Sequence, residues 1–414
     1  MSAFHYRDDT LHVEAVSLSD LAREFGTPCY VYSRAAISGA FQAYDGAFGA
    51  RPHLVCYAAK ANPSLAILNL LAQLGSGFDI VSGGELRRVV AAKGDPGKTI
   101  FSGVGKSEDE MRAALSLGIL CFNVESDSEL LRLERIAREM QHPAPVSLRI
   151  NPDVDPGTHP YISTGLKENK FGVAFDDAVR LYRLAHRSAH LAVKGIGCHI
   201  GSQLTEIVPM LDAARRVLNL VDLLGSEGIV MEHIDLGGGL GIRYLDENPP
   251  APADWVRDLV ALIGSRPQSL MLAPGRSLVG NAGALLTRVE YLKHGETRNF
   301  AVVDAAMNDL LRPSLYDAHH DVLPVHRAGR ASEEYDVVGP VCETADFLAR
   351  ARRLAISEGD LLTVMSAGAY GMSMSSNYNS RPRAAEVMVD GATAHLIRAR
   401  EHIEDLYASE RLLP

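Results

Sequence analysis

The stretch His53-Leu-Val-Cys-Tyr-Ala-Ala-Lys60-Ala-Asn62-Pro63 decides how the rest of the chain is read. Its first seven residues are apolar or small apart from His53, the pattern of a parallel strand buried on both faces. The run ends on a lysine, with an Asn-Pro loop signal just beyond it. Desolvating an unpaired ammonium is costly, so Lys60 must reach either water at a rim or a polar site. Taken alone, a strand-end lysine is more often one that snorkels to the surface.

Outward from this stretch the same rhythm recurs. Strand-like runs lie at 78–82, 98–102, 120–125, 145–151, 191–199, 233–237 and 269–273. A helix is expected from Ser64, with Leu65, Leu68 and Ala72 on one face. Ser107-x-x-Glu110 and Ser126-x-x-Glu129 read as capping boxes, the second opening a helix with Leu130, Leu133 and Ala137 in register. A long loop is expected over 152–172 and an apolar-periodic helix around 210–224. Eight strands, with a helical segment after each of the first seven, imply parallel strands joined by helical crossovers. Their spread over about 250 residues fits a closed (β/α)8 TIM-type barrel better than an open doubly wound sheet. The open-sheet rival lacks its fingerprint: Gly237-Gly-Gly239-Leu-Gly241-Ile242 has isoleucine where the last glycine of G-x-G-x-x-G belongs, and it falls late in the chain.

The flanks read differently. Before the barrel come a strand and short helix over 11–26, a strand at 28–32, and a helix capped by Ser33. After about 281, strand-like runs at 285–293, 300–305, 335–341, 360–365 and 385–398 are separated mostly by Gly, Pro and Asp turns. They predict a mainly antiparallel β domain with a short helix at 401–408. The expected division is an N-terminal segment, 1–30, packing with the β domain; a cofactor-binding barrel over 31–280; and a C-terminal β domain over 281–414.

Composition narrows the function. A net charge of −10 over 414 residues argues against a nucleic-acid surface. Cys29, Cys56, Cys121, Cys198 and Cys342 are odd in number and widely spaced, which suits a reducing cytoplasm rather than a disulfide framework or zinc site. No signal peptide is visible at the start, and the uncharged stretch 361–380 is too rich in Gly, Ser, Asn and Tyr for a membrane helix.

In such a barrel the site lies at the carboxyl ends of the strands. Those ends carry Lys60, Asp79, Ser102, Glu125, Arg149 with Asn151, His199, Gly237 to Gly239, and Ala273-Pro-Gly-Arg276. The set suits an anionic ligand. Three consecutive glycines after strand seven let backbone N–H groups approach a phosphate, against the plainer reading of a turn. A lysine there can form a Schiff base with a carbonyl cofactor such as pyridoxal phosphate. His199 could stack on a planar cofactor and Ser202 could bond its phosphate, although a lone strand-end histidine is more often structural. Arg149 is nearly as well explained as an internal partner of Asp79 or Glu85. In the β domain, Gly339-Pro-Val-Cys342-Glu343-Thr-Ala-Asp346 sets a thiol beside a carboxylate, and the stretch 368–379 is polar, uncharged and glycine-rich.

Tyr57-Ala-Ala-Lys60-Ala-Asn, Cys198-His-Ile-Gly-Ser-Gln203, Asp235-Leu-Gly-Gly-Gly239, Pro274-Gly-Arg276, Cys342-Glu343 and Gly368-Ala-Tyr-Gly closely resemble motifs of the pyridoxal-phosphate decarboxylases of the alanine-racemase fold (fold type III). Thr158-His-Pro-Tyr-Ile-Ser-Thr-Gly-Leu-Lys-Glu-Asn-Lys-Phe-Gly172 and Ser375-Ser-Asn-Tyr-Asn379 resemble the diaminopimelate-specific members rather than ornithine or arginine decarboxylases. The resemblance runs nearly end to end, in order. It implies decarboxylation of meso-2,6-diaminopimelate to L-lysine and carbon dioxide, a step of lysine biosynthesis, by a homodimer with shared active sites. It implies Lys60 as the Schiff-base lysine and His199 as the ring stacked on the cofactor. Ser202, Gly238, Gly239 and Tyr370 would surround the phosphate, and Asp79, Ala273, Gly275 and Arg276 would also line the cofactor. Arg276, Arg312 and Tyr316 would grip the substrate's far carboxylate beside Tyr370, and Glu343 would read its far amino group. Cys342, from the partner subunit, would donate a proton after carbon dioxide leaves.

The sequence departs from that family at one point. Its members have Glu-Pro-Gly-Arg at the end of strand eight, and this chain has Ala273-Pro-Gly-Arg276. The glutamate bonds the pyridine nitrogen and keeps it protonated; alanine has no acceptor. An otherwise ordinary enzyme, one with a compensating acid elsewhere, a paralogue acting on a related amino acid, and a non-catalytic cofactor-binding regulatory homologue all stay open on this evidence.

Overall fold

The computed structural model describes residues 3–154 and 170–414. They form two compact units, one of residues 40–242 with 248–277, the other of 1–39, 243–247 and 278–414. Most of the diaminopimelate-specific motif at 158–172 lies outside the described residues.

The first unit is built on eight parallel strands: β1 His53–Ala58, β2 Gly77–Ile80, β3 Thr99–Phe101, β4 Cys121–Val124, β5 Ala144–Asn151, β6 Leu191–Cys198, β7 His233–Asp235 and β8 Ser269–Leu272. Each pairs with its neighbour in sequence, and β8 pairs back onto β1 through Leu270↔His53, so the sheet closes as expected. Closure leaves no edge to protect. Helices Leu65–Gln73, Gly83–Ala91, Glu108–Ser116, Asp127–Glu139, Phe175–Arg187, Val208–Ser226 and Pro252–Ile263 follow the first seven strands. Low in the interior, Cys56, Ile100, Cys121 and Met271 pack in one apolar cluster. Nearer the carboxyl ends the interior turns polar: Asn123 Nδ2 donates to Ser102 Oγ (3.1 Å) and to Asp235 Oδ2 (3.2 Å), linking β3, β4 and β7.

Local signals fare unequally. Ser107 and Glu110 make the full capping box. At Ser126 the hydroxyl accepts from Glu129 N–H as expected, but the Glu129 carboxylate turns away, accepting from Glu125 N–H (2.9 Å) and pairing with Lys106. The first barrel helix buries Ile67, Leu68, Leu70 and Leu71 and leaves Leu65 45 % exposed, contrary to the face expected. That helix is apolar at nearly every position, so its sequence does not single out one face.

The second unit is built on a nine-stranded sheet: seven strands run in the spatial order Phe347–Leu354, Glu333–Val338, Phe300–Val303, Gly283–Lys293, Cys29–Ser33, Ala385–Asp390, Thr393–Arg398, and off this path Leu361–Val364 pairs with Gly283–Lys293 and Val322–Pro324 pairs with Leu361–Val364. Most pairings are antiparallel; Cys29–Ser33 with Ala385–Asp390 and Phe300–Val303 with Glu333–Val338 are parallel. Its core gathers Leu11 and Leu18 from the N-terminal segment and Val31 just after it with Leu286, Val325 and Val387. The strand Phe347–Leu354 was not expected from its sequence: three arginines within it mask the apolar alternation, because one face of the strand meets solvent.

Candidate active site

Lys60 sits in a single turn of 3-10 helix, Ala59–Ala61, directly after β1. Buried Asn62 organises the turn: its carbonyl accepts from Tyr57 Oη (3.0 Å) and its Oδ1 from Ser64 N–H (3.1 Å). The lysine is exposed while its neighbours Ala59 and Ala61 are wholly buried. Its cation acts on three groups around it. Burial pushes the Asp79 carboxyl up, against the pull of Lys60 and a bond to Ser102. Burial pushes Glu85 up to about 7, again opposed by Lys60. Burial holds His199 well below the ordinary imidazole range, with Arg149 and Lys60 adding to the shift, so the ring is neutral at pH 7.

Arg149 has a different partner from either expected. Its Nη1 lies 3.1 and 3.3 Å from the two oxygens of Glu125, not on Asp79 or Glu85. Glu125 directly follows β4 and Arg149 lies near the end of the adjacent β5, in a register that places Val124 beside Leu148 and so brings the two side chains to the same height. Glu125 is fixed further by Gly103 N–H (2.9 Å) and Gly172 N–H (3.0 Å), and the Arg149 guanidinium lies over the Phe171 ring.

The loops after β6 and β7 are zipped together. Leu204 N–H donates to Gly239 O (2.9 Å), Gly241 N–H to Leu204 O (2.8 Å), and the Gln203 amide exchanges bonds with both backbone groups of Ile242. Within this zipper a Cβ on Gly238 would stand 2.2 Å from Ala273 O, and one on Gly239, at φ +113°, 2.7 Å from Gly201 O. Only glycine fits these two positions. Arg276, almost fully buried, donates through Nη2 (3.0 Å) and Nε (3.3 Å) to Ser202 Oγ. The barrel thus brings Lys60, Asp79, His199, Ser202, Gly238, Gly239, Ala273, Gly275 and Arg276 together at its carboxyl end.

This set fits pyridoxal phosphate. The glycine loops let backbone approach a phosphate closely, Ser202 and Arg276 add polar hydrogens beside them, and the neutral His199 presents a flat face. Asp79 Oδ1 is buried with no hydrogen-bond partner among the described residues, as a position awaiting a polar ligand would be. No cluster of metal-ligating side chains occurs among the described residues, and no helix there is long and apolar enough to cross a membrane.

In the second unit Arg312 and Tyr316 share the short helix Arg312–Tyr316, one turn apart. Cys342 and Glu343 are exposed in a turn after Glu333–Val338. Buried Asp346 braces that turn, accepting from Met307 N–H (2.7 Å) and Val341 N–H (2.8 Å), and Asn379 Oδ1 accepts from Cys342 N–H (2.9 Å). Tyr370 adopts the left-handed backbone region, φ 56°. Lys106, Tyr244 and His320 were not singled out from sequence, and Asn379 was named only as part of the Ser375–Asn379 motif, with no role. The His319-His320 pair so soon after Arg312 was the one signal for the first three.

Residues 34–280 match the family model described as the pyridoxal binding domain of pyridoxal-dependent decarboxylases. The chain is 60 % identical to a diaminopimelate decarboxylase of Pseudomonas aeruginosa over the full length of both. Among solved structures it is similar to diaminopimelate decarboxylase from Helicobacter pylori complexed with L-lysine, with TM-score 0.92 and 42 % identity over 95 % of this chain and 99 % of that one. It is also similar to the M. jannaschii diaminopimelate decarboxylase in complex with L-lysine, with TM-score 0.95 and 38 % identity over 100 % and 99 % of the two chains. Barrel, glycine cradle and full-length likeness agree, and the chain belongs to the diaminopimelate decarboxylase family of pyridoxal-dependent decarboxylases.

Proposed function

We propose that this chain decarboxylates meso-2,6-diaminopimelate at its D-configured centre, giving L-lysine and carbon dioxide, as a cytoplasmic homodimer using pyridoxal 5'-phosphate. The observation that carries the reading is the polar set gathered at the barrel's carboxyl end, lacking only the acid that Ala273 replaces, in a chain that matches diaminopimelate decarboxylases throughout. Lys60 would hold the cofactor covalently, the neutral His199 ring would lie against it, Ser202, Gly238, Gly239 and Tyr370 would surround its phosphate, and Gly275 would line it. Bound pyridoxal phosphate supplies the electron sink for the charge left when a carboxylate departs as carbon dioxide.

The chain's own side chains do the rest. Arg276, Arg312 and Tyr316 bind and orient the far carboxylate, for which planar guanidinium groups suit paired hydrogen bonds. Glu343 accepts from the far ammonium. Anchoring that far end spends its binding energy on orienting the reacting end. The Cys342 Sγ–H delivers a proton to the carbon that has lost its carboxylate. Ala273 favours a second reading of the same chemistry, in which the reaction is weakened because the ring nitrogen lacks its acid.

Visible absorbance of lysine-bound cofactor, lost in Lys60→Ala, tests the attachment. Carbon dioxide release from meso-diaminopimelate, compared with ornithine and lysine, tests the substrate. Preference for either of the other two would overturn the assignment.

A further inference from the structure

The Arg312 guanidinium is held by two side chains that the reading above does not use. His320 follows eight residues later and is wholly buried. Its Nδ1 lies 2.8 Å from Met365 O. A carbonyl only accepts, so Nδ1 carries the proton and Nε2 is left with its lone pair. That Nε2 lies 2.9 Å from Arg312 Nη1, which therefore donates to it. Tyr244 covers a second side: the guanidinium carbon stands 4.6 Å from its ring centroid. Tyr244 and His320 in turn meet edge to face, centroids 5.3 Å apart at 77°. Backbone carbonyl, imidazole, guanidinium and phenol ring form one packed chain of contacts, with all its members in the second unit.

Each contact restricts the arginine differently. The imidazole accepts one hydrogen along a fixed direction without bringing an opposing charge of its own. The aromatic face sets the plane of the guanidinium. Together they fix where the remaining hydrogens of the fork point, which is what bidentate recognition of a carboxylate needs.

We propose that His320 and Tyr244 are positioning residues for Arg312, aiming its guanidinium at the carboxylate of the substrate's far amino-acid end and thereby setting affinity rather than chemical rate. The inference rests on the reading of Arg312 as a carboxylate-binding residue. Residues that orient a binding group, and touch no reacting atom, act on KM more than on kcat.

The test is steady-state kinetics of the holoenzyme with meso-diaminopimelate, with Ki for L-lysine, which retains the far carboxylate, as an independent measure of binding. His320→Leu and Tyr244→Leu are each expected to raise KM and the L-lysine Ki about tenfold while kcat changes less than about threefold. His320→Gln, whose amide both donates and accepts, and Tyr244→Phe, which keeps the ring face, are expected to recover most of the affinity. Arg312→Leu is run beside them. If Arg312→Leu raises KM while neither leucine variant of the positioning pair does, the proposal is overturned and the reading of Arg312 stands. If Arg312→Leu leaves KM unchanged, that reading fails and takes the proposal with it. A fall in kcat at unchanged KM in the leucine variants also overturns it. Should His320→Leu not fold, the Tyr244 pair and His320→Gln carry the same comparison.

Discussion

Lys106 Nζ lies 2.6 Å from Glu129 Oε1, with the ammonium wholly out of water and the carboxylate nearly so. The other two ammonium hydrogens reach Gly103 O (2.7 Å) and Asn123 O (2.8 Å), so all three donors are used. One lysine thus ties the loop after β3, the end of β4 and the helix Asp127–Glu139. Removing one member of such a pair strands the other in a dry site. Lys106→Met is expected to cost about 3–5 kcal/mol, whereas the double variant with Glu129→Leu recovers about half of that or more. Urea unfolding of the two variants beside the parent checks this, and equal losses would contradict it.

Asp235 gives the barrel a pH-dependent weakness. Burial, and the charge of Asp79, push its carboxyl from 3.8 up to about 7, despite bonds from Gly237 N–H and Asn123. Its folded-state value therefore lies above the unfolded one. Stability from this group is full below pH about 4 and is lost as pH rises through about 7, a swing of at most about 4 kcal/mol. In Asp235→Asn the amide still accepts from Gly237 N–H, and Asn123 can turn its own amide over to receive the new donor. The variant is expected to melt above the parent at pH 8 and level with it at pH 4; parallel melting curves at both pH values would refute the assignment.

Ala273 follows β8 directly and is buried, and its side chain offers no acceptor. Restoring the family's acid in Ala273→Glu is expected to raise carbon dioxide release from meso-diaminopimelate at least about tenfold, the worth of one charge-assisted hydrogen bond. Equal turnover by the two chains would show that the ring nitrogen needs no acid at this position.

Asn379 holds the Cys342 turn from a left-handed backbone position, φ 56°. Alanine there would confound backbone strain with loss of the acceptor, whereas glycine tolerates the conformation. Asn379→Gly is therefore expected to lower kcat about tenfold through a misplaced thiol, with KM little changed. An unchanged kcat would remove Asn379 from the proton-delivery machinery.

How much of this was legible beforehand follows from the range of each interaction. Lys60 was visible because a strand's burial and its polar end are written within a few consecutive residues. The glycines at 237–239 were visible for the same reason, and the structure adds why they cannot be alanine: Ala273 O lies where a Cβ on Gly238 would be. Arg149 was recognisable as an interior cation, but its partner was not, because the choice among Asp79, Glu85 and Glu125 depends on which strands become neighbours and at what height. The Ser126 box failed in its second half for a similar reason: Lys106, twenty-three residues upstream of Glu129, outcompetes a local backbone N–H for the carboxylate.

The chain by itself determined the alternation of strand and helix, the closed parallel barrel that alternation demands, and the residues that cap each strand. These depend on periodicity, turn chemistry and propensity, which act over one or two turns of backbone. Only the tertiary structure decided which buried charges meet, that His199 is neutral, and that His320 and Tyr244 seize the guanidinium of Arg312. Those outcomes depend on desolvation and on distances of a few ångströms between segments remote in sequence, and no local pattern encodes either one.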